Sequence, residues 1–149
     1  MVVRNKTVPT GADVAGFVAA IADDRRRADA ALLIAAMSEV TGAPPVIWGT
    51  SIVGFGSRHL RYDSGRELDV PRVAFAPRAA QSVVYVSGGF DRYQDLLPLL
   101  GRHSTGNACL YLKNVADADP AALRAVIDRS YRFIDGAEHP DPADGTSVP

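Results

Sequence analysis

The stretch Arg72–Ser87, RVAFAPRAAQSVVYVS, decides the fold class. Val73 and Phe75 alternate with small or polar residues, and a second apolar run follows a few residues later. Alternation with a period of two predicts a strand that has one buried face. Strands joined by so short a connection are antiparallel, because a parallel pair needs a crossover of about a dozen residues or more. The stretch therefore predicts two neighbouring antiparallel strands.

The same alternation occurs on both sides of this stretch, in HLRYD (59–63) and in CLYLK (109–113). Turn signals separate the strand segments: Asp63-Ser64-Gly65, then Gly88-Gly89, then Gly106-Asn107. Every second side chain of a strand faces the same side of its sheet. We expect the apolar sets to face a layer of helices and the alternate sets to form one open sheet face.

Two helices are predicted before the strands. Thr10 is expected to cap the first, with Asp13 in its first turn. The second is expected to begin at Asp23 or Asp24 and to end at Gly42, because glycine readily adopts the left-handed conformation of a helix end.

Two more helices are predicted further along the chain. One is expected from its cap Asp91 to Gly101, with a kink or a short helix at Pro98, and the other begins at its cap Asp119 with Pro120 in the first helical position. Helices at the two ends of a run of tightly connected strands predict an α+β two-layer sandwich. Its sheet is mostly antiparallel and its helices pack on one face.

Three consecutive arginines, Arg25, Arg26 and Arg27, fall in the first turn of the second helix. Cations there oppose the helix dipole, at a cost of about 0.3–1 kcal/mol each. We expect a solvated helix face, with a patch for an acidic partner as the alternative.

Charge is unevenly distributed along the 149 residues, whose net charge is −1. Residues 136–149 carry three acids, no Lys or Arg, and three prolines, so we expect an acidic Pro-rich disordered tail after one domain over 1–135. The 16 Lys and Arg residues and 14 of the 17 Asp and Glu residues precede this tail, which leaves +2 for the domain. So mild an excess makes nucleic acid an unlikely partner.

Cellular location is predicted from what the sequence lacks. No apolar run approaches the ~20 residues of a membrane span, and the N-terminus has no secretory pattern. Cys109 is the single cysteine, so no internal disulfide can form. We expect a soluble cytoplasmic protein.

The stretch Trp48–Gly65, WGTSIVGFGSRHLRYDSG, raises the question of a nucleotide site. Gly49 and Gly54 have the spacing of a phosphate-binding loop, but Phe55 and Gly56 stand where that loop needs Lys and Ser or Thr. The dinucleotide pattern also lacks its third glycine. We expect these glycines to bend strands or to allow close backbone contacts, and a ligand cradle stays as the alternative.

Three segments together resemble the YdhG-like family, a bacterial domain of mostly unknown function. They are WGTSIVGFGSRHLRYDSGRE, VAFAPR and YQDLLPLLGRHSTGNACLYLK, and the resemblance covers about residues 6–130. It implies a compact α+β domain, in agreement with the strand and helix signals. Some members of the wider family are described as frataxin-like intracellular iron chaperones, so the resemblance also implies iron as a possible cofactor or cargo.

The open face of the sheet is the expected place for a site. Strand parity predicts that it gathers cationic and aromatic side chains, namely His59, Arg61, Arg72, Arg78, Tyr85, Tyr111 and Lys113. Such a face suits a small anion, since arginine offers paired donors to a carboxylate or phosphate, or it suits a second copy of the chain. A solvated face is the third possibility. The predicted ligand-binding residues are Trp48, Ser51, His59, Arg61, Arg78, Tyr111 and Lys113.

Metal and catalytic sites have weaker signals. Iron favours clustered carboxylates with histidine, and no stretch shows such a cluster. Cys109 and His103 lie six residues apart and could meet as nucleophile and base, but a lone strand cysteine is more often inert. No catalytic residue is assigned, and the metal ligands, if any, are unknown.

Three hypotheses for the function follow. The first is a non-catalytic binding protein for a small anionic ligand or a metal, with the iron chaperone as its most concrete form. The second is a small enzyme that uses a cluster of His59, Arg61, Arg78 and Tyr111 on the open face. The third is a self-association module, with that face buried in a homodimer.

Overall fold

The computed structural model describes residues 8–61 and 63–133, together with the backbone of Glu138–His139. Its helices are α1 (Val14–Ala19), α2 (Asp24–Thr41), α3 (Leu97–Leu100) and α4 (Pro120–Arg132). Its strands are β1 (Pro45–Trp48), β2 (Ile52–Phe55), β3 (Arg58–Arg61), β4 (Glu67–Val70), β5 (Val73–Pro77), β6 (Ser82–Tyr85), β7 (Ser104–Thr105), β8 (Cys109–Leu112) and β9 (Glu138–His139).

Alternating apolar residues form the larger of two sheets, whose strand order is β1-β2-β5-β6-β8-β7. Antiparallel register places Val53 beside Phe75, Phe75 beside Val84, and Val84 beside Leu110. All four are fully buried in one core that they share with residues of α2 and α4. Each such side chain stabilises the fold by about 1.5–3 kcal/mol. The prediction of an α+β fold, with helices covering the apolar face of an antiparallel sheet, is confirmed.

Capping signals set the ends of the two long helices. Asp23 precedes α2 and its Oδ1 accepts the backbone N–H groups of Arg25 and Arg26, at 2.8 and 3.1 Å. Gly42 ends α2 with a φ of 72°. Asp119 caps α4 by accepting the N–H of Ala122. These three predicted ends are confirmed.

The predicted start of the first helix is wrong, because Thr10 is used by the sheet. Its N–H and its hydroxyl both donate to the Ile47 carbonyl, and α1 begins only after Asp13. The free carbonyl of an edge strand thus competes successfully for a threonine that could have capped a helix.

The predicted helix start at Asp91 is also wrong, whereas the short helix predicted at Pro98, with its end at Gly101, is present. The chain forms a 3-10 turn at Phe90–Tyr93 and then the four-residue α3. Pro98 falls in the first turn of α3, where its missing N–H would have had no helical partner. Asp91 lies inside the 3-10 turn and is not a cap.

A second sheet, of order β4-β3-β9, was not foreseen. β3 pairs with Glu67–Val70, and the predicted turn at Asp63-Ser64-Gly65 lies between these two strands. β9 lies on the other side of β3, so the disorder expected for 136–149 does not extend to Glu138–His139. The rest of that tail, Ile134 and Tyr62 lie outside the described residues.

No helix within the described part of the chain is long and apolar enough to cross a membrane.

Close packing explains why residue 54 is a glycine, which agrees with the predicted close backbone contact. A Cβ added there would lie 2.6 Å from Trp48 Nε1 and 2.8 Å from Pro71 Cβ. Both distances are below any ordinary carbon contact, so the indole and the proline ring rest directly on the glycine backbone.

Replacing Gly54 with alanine should lower the free energy of unfolding by about 1–3 kcal/mol, as expected for overpacking a tight core. Urea unfolding measures the loss. Gly11→Ala is the matched control, because a Cβ at Gly11 meets nothing within 4 Å. Equal stability of the two variants would contradict the close-contact account.

Candidate functional site

A buried ion pair joins the helix layer to the sheet. Arg26 and Asp29 of α2 are 4% and 3% exposed, and Arg26 Nη1 lies 3.3 Å from Asp29 Oδ2. The Asp29 carboxylate also accepts the Ser82 hydroxyl and the Val115 N–H, each at 3.1 Å. Arg26 Nη2 donates to the Lys113 carbonyl. The pair therefore ties α2 both to β6 and to the chain that follows β8.

The prediction that all three arginines lie on a solvated helix face is thus wrong for Arg26. Arg25 is exposed, whereas Arg26 points inward because Asp29, three residues on, provides its counter-charge. An arginine in the first turn of a helix, against the dipole and three residues before an acid, is the sequence signal that could have identified this pair.

Part of the Arg26 guanidinium has no hydrogen bond. Nε and Nη1 are buried and make none within the described residues, since Nη1 is at ion-pair distance from Asp29 but lacks hydrogen-bond geometry. Buried donors are almost always satisfied, and leaving one unmade costs about 1–3 kcal/mol. Protein atoms enclose both donors, so this cost is paid inside the core.

Arg26 forms part of the wall of a cavity of about 490 Å³. The cavity lies between residues 17–26, where α1 ends and α2 begins, and the turns that carry Ser51 and Arg78. Phe17, Ile21 and Pro77 contribute apolar surface. A mostly apolar wall with a few polar groups is typical of small-molecule sites, and this cavity is a shallow one that is largely open to solvent.

Arg78 supplies a cation at the exposed side of this cavity. Its Nη1 donates to Ser51 Oγ at 3.1 Å and to the Pro77 carbonyl, and its Nη2 donates to the Tyr85 hydroxyl at 3.4 Å. All these partners are neutral, and no carboxylate of the described residues pairs with Arg78. The predicted site residues Ser51 and Arg78 are thus brought together, and the charge of Arg78 has no ion-pair partner among the described residues.

Three other predicted residues lie apart from this cavity. Trp48 is 2% exposed and packs on Gly54, so the prediction that it contacts a ligand is wrong. Lys113 is exposed just after β8, and only its carbonyl contacts the ion pair. Tyr111 lies in β8 beside Cys109, whose hydrogen bond raises the pKa of the tyrosine hydroxyl.

Arg72 is not on an open face, contrary to strand parity. It is 3% exposed, and its Nη1 lies 3.4 Å from both the Tyr131 and the Phe133 carbonyl oxygens. A buried arginine is used here to hold the end of α4 against the start of β5.

His59 and Arg61 lie in the three-stranded sheet, so the predicted common face with Arg78 and Tyr111 is wrong. His59 Nδ1 is 2.6 Å from Asp69 Oδ1 and its Nε2 is 2.6 Å from Glu67 Oε1. Arg61 Nε lies 3.6 Å from Glu67 Oε2. These cations are matched by carboxylates on the neighbouring strand and do not form a free anion site.

The metal and thiol alternatives have little structural support. No group of three His, Cys, Asp or Glu side chains in the described part of the chain is placed to hold a metal ion. His103 Nδ1 contacts the Gly101 carbonyl at 2.8 Å, and the described hydrogen bonds do not join it to Cys109.

Comparisons with known proteins do not add a relative: no family model, curated protein or solved structure matches the chain. The resemblance to the YdhG-like family stays a prediction.

The His59 cluster should make stability depend on pH. Its hydrogen bond with Asp69, and then that with Glu67, raises the pKa of His59 above the ordinary 6.5. While both acids are ionised, the imidazolium stabilises the fold fully below about pH 6.5, and this stabilisation is lost as pH rises through the folded-state pKa.

Urea unfolding at several values between about pH 5 and pH 9, with His59→Gln as the comparison, measures this effect. The free energy of unfolding of wild type should exceed that of His59→Gln at low pH, and this difference should shrink as pH rises. A difference that stays constant with pH would contradict the stabilising role of the imidazolium.

Proposed function

We propose that this protein is a non-catalytic binding protein for a small organic molecule that carries an anionic group and an apolar body. One observation carries the proposal: Arg78 lines an apolar cavity and has no carboxylate partner among the described residues. A guanidinium without an ion-pair partner suits a carboxylate, for which arginine hydrogen bonds are short and strong.

Arg78 provides the charge that such a ligand needs. Because Asp29 compensates Arg26 locally, Arg78 is the cation of the cavity that an incoming anion would neutralise. Phe17, Ile21 and Pro77 would cover one side of the apolar body and remove it from water.

Iron binding, which the YdhG-like resemblance implies, is less well supported, because the described residues offer no cluster of metal ligands. The enzyme hypothesis required His59 and Arg61 to share a face with Arg78 and Tyr111, and their strands lie in two different sheets. Homodimer formation and the cytoplasmic location stay predictions. The location is still favoured by the single cysteine.

Binding of 3-phenylpropanoate tests the proposal. Backbone amide shifts in a ¹H–¹⁵N titration should map to residues 17–26, to Ser51 and to residues 77–79. Arg78→Gln should weaken binding about tenfold, because one charge-assisted hydrogen bond is lost at a partly solvated position.

Arg102→Gln is the matched control, since Arg102 is exposed and lies outside the cavity wall. It should leave the affinity unchanged. Absence of saturable shifts around the cavity with both 3-phenylpropanoate and phenylalanine, or equal weakening by both substitutions, would reject the proposed function.

A further inference from the structure

The same cavity contains a carboxylate as well as arginines. Asp23 lines it, and a single oxygen, Oδ1, accepts both of the helix-capping N–H groups. Oδ2 makes no hydrogen bond within the described residues, and the side chain is exposed. The hydrogen bond from the Arg26 N–H lowers the pKa of Asp23, which keeps the group ionised at neutral pH. Oδ1 therefore caps the helix, and Oδ2 can accept a hydrogen bond from a ligand.

Asp23 and Arg78 are held on different parts of the cavity wall. Asp23 is fixed by its capping bonds at the start of α2, and Arg78 is fixed by Ser51 and Tyr85 on the sheet. They form no ion pair with each other, although both line the cavity. Fixed opposite charges that do not neutralise each other are complementary to a molecule that carries both charges.

We infer that the ligand is a zwitterion with an apolar side chain, namely a free amino acid. Its ammonium group would donate to Asp23 Oδ2 and its carboxylate would accept from Arg78, with Phe17 and Ile21 contacting its side chain. The inference rests on the proposed function, since it specifies the chemical class of ligand for the same cavity.

Three matched probes separate the charge requirements: phenylalanine, 3-phenylpropanoate, which lacks the ammonium group, and 2-phenylethylamine, which lacks the carboxylate. Calorimetry and amide shifts would be recorded for each with the full chain. Phenylalanine should bind wild type about tenfold more tightly than either analogue, the value of one additional charge-assisted hydrogen bond.

Asp23→Asn removes the charge and keeps the cap, because asparagine caps helices as well as aspartate does. This variant should lose the preference for phenylalanine over 3-phenylpropanoate and remain folded, with the amide spectrum of wild type away from the cavity. Asp91→Asn, an exposed substitution outside the cavity wall, should keep the preference.

The possible failures are distinguishable. If 3-phenylpropanoate binds the cavity at least as tightly as phenylalanine, and Asp23→Asn does not weaken phenylalanine selectively, the zwitterion inference is wrong and the proposed function stands. If neither carboxylate causes saturable shifts at the cavity, both are wrong.

Discussion

The buried pair of Arg26 and Asp29 is the interaction on which the two layers depend. Asp29 accepts hydrogen bonds from a strand side chain and from the backbone beyond the last long strand, so a single carboxylate fixes how α2 lies over the sheet. Removing one partner of such a pair costs about 3–5 kcal/mol, because the other charge is left buried. The pair therefore defines the position of α2 more sharply than apolar contacts alone, which tolerate sliding.

The position of the cavity follows from the same pair. Arg26 is held by Asp29 and by the Lys113 carbonyl, and the residue also forms part of the cavity wall between the start of α2 and the sheet turns. One residue thus belongs both to the core and to the cavity wall. A ligand bound against this wall would bind only the folded state, so binding and stability would be coupled.

Local signals predicted most of the helices and strands. Asp23, Gly42 and Asp119 act within one turn of their own helix, and the alternation in β5, β6 and β8 needs only the period of a strand. The errors came from long-range competition. Thr10 donates a hydrogen bond to the Ile47 carbonyl instead of capping its predicted helix. Strand parity assigns side chains to faces within one strand, and it does not indicate that β3 belongs to another sheet.

The site was predicted only in part for the same reason. Ser51 and Arg78 lie in turns of the main sheet, where strand pairing brings them together. Arg26 was missed because its burial depends on contacts with residues more than eighty positions away, and Trp48 was misassigned because its burial depends on Gly54 and Pro71. The residue types predicted binding of an anion, whereas tertiary packing determines which arginines line the cavity.

The most direct test of the central claim is a ¹H–¹⁵N spectrum of the arginine Nε–H groups, recorded with and without 3-phenylpropanoate and assigned with Arg78→Lys. The Arg78 Nε–H resonance should shift on ligand addition, and its exchange with water should slow. An Arg78 resonance that is unchanged while the ligand saturates the protein would contradict the proposed function.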